Sequence, residues 1–207
     1  MIAILISIRP EWVAKILNGE KTVDIRKTCP EIFKHLKPYE GCSIDVYIYC
    51  TKGKYEMGKF NSDKKYHEIR DDCSYAGGWL RGLPDETVNG KVVAKFTLNK
   101  VEKYPYISDK YDKLIGSCLS EKELLDYSTI KIENGIRFVK TLYAWHISNL
   151  VIFDKPKELS EFYKVGFDKA MKESLKLKPY PLSSAYIEKQ YQLTKAPQSF
   201  CYVEVGR

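Results

Sequence analysis

The chain has 207 residues, 44% of them hydrophobic and 29% charged, and a formal net charge of +7. That is enough to bury a core, and it reads as a single domain over 1–207 with an elaboration. No apolar run reaches the roughly 18 residues of a membrane-spanning helix, so no membrane partner is expected. Six cysteines (Cys29, Cys42, Cys50, Cys73, Cys118, Cys201) occur without a C-x-x-C pair. This argues against a disulfide scaffold and against zinc, and points to reduced thiols in a cytoplasmic protein with no cofactor.

In chain order, "IAILISI" (2–8) predicts a strong strand and not a signal peptide, because no basic segment precedes it and Arg9-Pro10 ends it. Pro10 opens a helix, "PEWVAKILN", with Trp12, Val13, Ile16 and Leu17 on one face. Gly19 stops that helix. Residues 22–27 alternate as a strand, "PEIFKHL" suits a short helix, and "CSIDVYIYC" (42–50) is a second clear strand. From about 51 to 89 the pattern dissolves into a polar excursion rich in Gly, Asp and Lys, for which some local hairpin is expected. A long strand resumes over 90–104. Ser120 with Glu123 forms a capping-box signature that starts a helix at "SEKELLDY". Residues 137–153 are strand-rich, "DKPKELSEFY" predicts a short helix, 164–196 give no clear pattern, and "SFCYVEV" closes as a strand. Strands outnumber helices, with no βαβ repeat and no glycine-rich phosphate loop. The expected fold class is therefore α+β, a small mixed β-barrel with short helices packed on it.

The basic excess is mostly lysine, since only six of the 34 basic residues are arginine. A basic surface attracts phosphate, which makes RNA or a nucleotide a fair first partner. The most informative stretch is "NGEKTVDIRK" (18–27), where Lys21, Asp24 and Arg26 stand within six residues of one another after a glycine turn. In an ideal strand Asp24 and Arg26 share one face, while Val23 and Ile25 face the core. Lys21 sits where the turn meets the strand, so a bulge could turn it to the polar side. Beside Asp24 the lysine stays charged and acts as a donor; desolvated beside Arg26 it acquires a lowered pKa and can serve as base or nucleophile. The bland alternative is a surface ion pair of Asp24 with Arg26 and a solvated Lys21.

The order strand, helix, G-x-K-x-x-[acid]-x-R, strand resembles the ASCH domain, a branch of the PUA-like superfamily. The motif reads Gly19-Glu20-Lys21-Thr22-Val23-Asp24-Ile25-Arg26, with aspartate where the family carries glutamate. The entry Leu5 to Pro10 matches as well, and "YAWHISNLVIFDKPKELSEFY" and "KAPQSFCYVEV" are similar to long, phage-associated members. The resemblance implies a PUA-like barrel that binds RNA or a nucleotide in a polar cleft around Lys21, Asp24 and Arg26. It also implies an alternative, a hydrolase acting on RNA or on a modified nucleoside such as N4-acylcytidine, with Lys21 as base or nucleophile. The deacylating relatives use Lys, Thr and Glu. Here Lys21 matches, Asp24 stands at the threonine position, and "IGSCL" (115–119) has no acid at the glutamate position.

Other candidates come from position. Ser7 and Arg9 end the first strand, where side chains reach a pocket mouth. Tyr47 could stack a base, although cross-strand packing is the commoner use of such a tyrosine. Gln198 and Ser199, just before the last strand, offer amide and hydroxyl groups suited to a base edge. Trp79, flanked by glycines, suits an exposed lid or equally a buried anchor, and Trp145 beside Tyr143 suits the core. His146 has no carboxylate partner visible in the sequence. A protein-binding surface is a third reading, and the oligomeric state is left open.

Overall fold

The computed structural model describes residues 1–34, 41–54, 56–60, 64–69, 74–75, 78–79, 87–104, 111–133, 136–176 and 182–205. In chain order the elements begin β1 (Ile2–Ile8), α1 (Pro10–Leu17), β2 (Val23–Arg26), α2 (Glu31–Lys34), β3 (Ile44–Cys50), β4 (Glu56–Lys59), β5 (Tyr66–Ile69), β6 (Ser74–Tyr75), β7 (Gly78–Trp79), β8 (Val92–Leu98) and β9 (Val101–Tyr104). A 3₁₀ stretch, Tyr111–Ser117, leads to α3 (Glu121–Ser128), β10 (Thr129–Glu133), β11 (Ile136–Val139), β12 (Leu142–His146) and β13 (Ser148–Lys157). The chain ends with β14 (Phe162–Lys164), α4 (Phe167–Ser174), α5 (Ser184–Tyr191) and β15 (Phe200–Val205). The architecture is α+β, mostly sheet with short helices.

The chain divides into two compact units. One comprises Met1–Leu17, Ile44–Lys95 and Val151–Arg207; the other comprises Asn18–Ser43 and Phe96–Leu150. The first is built on a six-stranded sheet of order β13-β8-β3-β1-β15-β14. β1 lies at its middle, parallel to β3 and antiparallel to β15. Its apolar run is covered on both faces, and Ile4, Leu5 and Ile6 are fully buried. The sheet core gathers Ala3, Leu5, Tyr47, Val92, Phe162 and Val203.

Glu204 on β15 ties the sheet to α4. Its carboxylate accepts from the backbone N–H of Gly166 at 3.0 Å and of Asp168 at 2.7 Å, which satisfies two donors at the start of that helix.

The second unit is built on the sheet β2-β12-β9. Val23, Ile25, Tyr104, Leu142 and Ala144 form one buried cluster with Leu114 of the 3₁₀ stretch and Leu124 of α3. The capping box at α3 is present in both directions: Ser120 Oγ accepts from Glu123 N, and the Glu123 carboxylate accepts from Ser120 N.

The strand and helix expectations are refined as follows. Among the described residues the sheets do not close into a barrel, and β13 and β14 are the two ends of the large sheet. The long strand over 90–104 is two strands, β8 and β9, which belong to different sheets and break at Asn99-Lys100. The helix expected at "DKPKELSEFY" is instead the end of β13, one 3₁₀ turn (Leu159–Glu161) and β14. Pro156 lacks an N–H to give a ladder, and an end strand is where a sheet tolerates it. Residues 164–196, which carried no clear pattern, hold α4 and α5. In the 51–89 excursion, β4 pairs antiparallel with β5 and β6 with β7; several residues of that stretch lie outside those described.

Glu204→Ala should cost about 1–3 kcal/mol in a denaturant melt, because two backbone donors lose their acceptor in a buried setting. Glu204→Gln keeps one acceptor oxygen and should fall between the variant and the wild type. Equal stability of all three would remove the capping role.

Candidate functional site

Gly19 leaves α1 with φ near 78°, a left-handed conformation that a residue with a Cβ adopts at a cost. The chain then runs directly into Lys21, Asp24 and Arg26, which meet in a buried cluster in the second unit. Their exposures are 3%, 6% and 8%, which excludes the solvated surface pair. Asp24 accepts from Arg26 Nε at 2.6 Å, and its other oxygen lies 3.6 Å from Lys21 Nζ. Arg26 also lies over the ring of Trp145, 5.9 Å from its centroid. Asp24 pairs with Trp145 and Arg26 with Tyr143 in the β2–β12 register, so these four alternate away from the apolar face. Trp145 is fully buried and donates its indole N–H to Thr28 O at 3.3 Å.

Lys21 does not follow strict alternation, as its place beside the turn led us to expect. Its Nζ donates to Val23 O at 2.8 Å and to Ser117 O at 2.9 Å. Ser117 ends the 3₁₀ stretch, which is laced to the motif by two further bonds: Thr22 N to Gly116 O at 2.8 Å, and Cys118 Sγ to Glu20 O at 3.3 Å. The approach is close, since a Cβ at Gly116 would overlap Thr22 Oγ1 unless that hydroxyl turned aside. Burial drives the Lys21 ammonium below its ordinary value of 10.5, against the pull of Asp24, which favours the charged form. The ring of acceptors also favours the ammonium, because a neutral amine has one N–H fewer to give.

The other candidates lie in the first unit. Ser7 and Ser199 come together: Ser7 Oγ donates to Pro197 O at 2.6 Å, and Ser7 N donates to Ser199 O at 3.0 Å. Arg9 and Gln198 are exposed. Tyr47 is 9% exposed and packed edge-on against Phe162, with ring centroids 5.1 Å apart. Its ring packs in the sheet core, the commoner use of such a tyrosine. The Trp79 side chain lies outside the described residues, as does Cys73.

Sequence reasoning missed a partner for His146. Its Nε2 lies 2.6 Å from Glu102 Oε2, an interaction made across β12 and β9 by residues 44 positions apart. Burial raises the Glu102 carboxyl, but the bonds from His146 and Lys100 outweigh it and the net shift is downward. The thiols offer no activated nucleophile in the cores: burial, with a smaller push from Glu11, moves Cys50 up to about 12, and burial raises Cys29 and Cys201 as well. Among the described residues no group of three metal-ligating side chains occurs, and no helix is long and apolar enough to cross a membrane.

Asp24→Asn leaves two buried cations without their counter-charge. It should destabilise the protein by about 3–5 kcal/mol, less whatever Lys21 recovers by shedding its proton. A chemical denaturation series with Asp24→Asn and Lys21→Met/Asp24→Asn checks this. The double variant should be the more stable of the two, and a less stable double variant would contradict the arrangement.

No protein-family model and no curated protein matches the chain. Among solved structures it is similar to the crystal structure of ASCH from Zymomonas mobilis, at 15% identity and a TM-score of 0.47, over 98% of this chain and 87% of that one. Two mutant forms of that protein are similar at 14% identity with a TM-score of 0.48, and at 15% with 0.47. They are covered over 88% and 90% of their lengths, each against 98% of this chain. No residue's role follows from likenesses at this level.

Proposed function

We propose that this chain is a PUA-like, ASCH-type module that binds single-stranded RNA or a nucleotide through phosphate. The observation that carries the reading is the buried cluster of two cations and one carboxylate, Lys21, Arg26 and Asp24, at the spacing of the G-x-K-x-x-[acid]-x-R motif. Asp24 holds Arg26 through Nε, and the guanidinium carries a permanent, delocalised positive charge of the kind that attracts an anionic oxygen. Asp24 orients that guanidinium. Lys21 has its Nζ turned to backbone carbonyls, so its part is to hold the motif in shape and to add positive potential. The net charge of +7 supports a polyanionic partner. Reduced thiols fit a cytoplasmic setting.

A second reading, hydrolysis of an N4-acylated cytidine, draws on one observation: burial acidifies Lys21, as a base or nucleophile requires. Against it stand the carbonyls that hold the ammonium, Asp24 in place of a hydroxyl, and the absence of an acid in Ile115–Leu119.

Titration of a fluorescent oligouridine with the protein should give weak binding that falls steeply with salt, each neutralised phosphate contributing about 0.7 to the log–log slope. Arg26→Met should flatten the slope by about that amount. Binding absent at low salt, or indifferent to salt, would overturn the reading. Incubation with N4-acetylcytidine should release little or no cytidine. Turnover of about one per second or faster, abolished by Lys21→Ala, would instead establish the hydrolase.

A further inference from the structure

The register of the β2-β12-β9 sheet sets three side chains in one row across the strands. Arg26 on β2 is opposite Tyr143 on β12, and Tyr143 is opposite Lys103 on β9. Directly opposite residues share a face, so the row lies on the face that carries Asp24 and Trp145, away from the apolar cluster of Val23, Ile25, Leu142 and Ala144. All three residues belong to the second unit. Neighbouring strands are about 4.8 Å apart, which puts the Arg26 and Lys103 backbones about 10 Å from each other with the tyrosine between them. Exposure rises along the row: Arg26 is buried, Tyr143 partly exposed and Lys103 exposed.

Two aromatic residues of β12 share this face, and the fold uses them differently. Trp145 is fully buried, gives its indole N–H to Thr28 O and lies against Arg26. Tyr143 has none of these commitments. Among the described residues its hydroxyl makes no hydrogen bond and its ring makes no aromatic or cation contact. A tyrosine used for packing carries ring partners, as Tyr47 does with Phe153 and Phe162. The surroundings of Tyr143 are cationic. The Lys103 ammonium has no ion-pair partner among the described residues, and Lys34 of α2, which pairs with Glu31, is near enough to Tyr143 to interact with it electrostatically. On these three strands the one carboxylate of this face is Asp24, which Arg26 and Lys21 already occupy, while Glu102 lies on the other face.

We propose that Tyr143 is the base-stacking platform of the RNA site, with Arg26 supplying positive potential on one side of it and Lys103 meeting a phosphate on the other. A single strand alternates flat bases with charged phosphates, and a ring set between two cations complements both parts of that repeat. Every base has a π face, so such a platform holds a strand without reading its sequence. The proposal rests on the RNA-binding reading of the Arg26 motif and adds to it a base contact and a second cation.

The test compares two fluorescent probes of equal length at low salt: oligouridine, and a tetrahydrofuran-phosphate oligomer that carries the phosphates and no bases. The wild type should bind oligouridine at least about five-fold more tightly, the low end of what one stacked base contributes. In Tyr143→Ala that preference should vanish while the log–log salt slope stays as in the wild type, because a base contact and not a phosphate contact has been lost. Tyr143→Phe keeps the ring and should keep the preference. Tyr143→Leu takes the place of Tyr143→Ala if the smaller side chain fails to fold, and the wild-type comparison needs no variant. Lys103→Met should flatten the slope by about 0.7 for both probes. Salt-sensitive binding with equal affinity for the two probes, or a preference that survives loss of the ring, would overturn this inference and leave the RNA reading intact. An unchanged slope in Lys103→Met would overturn the part given to Lys103. No binding of either probe would remove the RNA reading and this inference together.

Discussion

A lysine ammonium taken out of water must be repaid in hydrogen bonds, and Lys21 sets this condition for the second unit. Desolvating such an ion costs several kcal/mol even after relaxation. Val23 O, Ser117 O and Asp24 offset that cost together, and each constrains a different piece of chain. Ser117 can reach Nζ only if the 3₁₀ stretch lies against the motif, an approach held by Thr22 N donating to Gly116 O. Asp24 can serve Lys21 and Arg26 at once only if the β2 strand places it on the side of Trp145. One buried charge thus ties a turn, a strand face and the 3₁₀ stretch together.

This condition links stability to chemistry. The oxygens that make the ammonium tolerable are the reason it is a poor free base, so the residue with the motif's most reactive atom is also the one most committed to structure. Arg26 is different. Its guanidinium is held by Asp24 through Nε and packed on Trp145, an arrangement that fixes the orientation of a permanently charged group.

Much of this was legible in the sequence where local rules govern. The apolar run of β1, Pro10 at the head of α1, the Gly19 stop and the Ser120–Glu123 box each depend on neighbours within a few residues, and each reads directly. The motif announced that Lys21, Asp24 and Arg26 would matter to one another. What it could not announce was the identity of Lys21's partners, because Ser117 lies 96 residues away and contributes only a backbone oxygen, which every residue has. Glu102 was invisible to His146 for the same reason: its register across β9 is set by a sheet and not by spacing. The division of 90–104 between two sheets and the fate of the 154–163 segment were misread because periodicity reports a residue's face and not its sheet. Tyr47 was open to two uses in the sequence, and its packing against Phe153 and Phe162 is set by residues far along the chain.

The burial of the Lys21 ammonium is the claim from which the rest follows, and it can be observed at the nitrogen itself. A ¹⁵N titration of the lysine side chains, with the Lys21 signal assigned by its loss in Lys21→Met, reports both its hydrogen exchange and its proton affinity. The account predicts slowly exchanging Nζ hydrogens and a midpoint below the ordinary 10.5. A rapidly exchanging signal with a midpoint at or above that value, as for a solvated lysine, would contradict it.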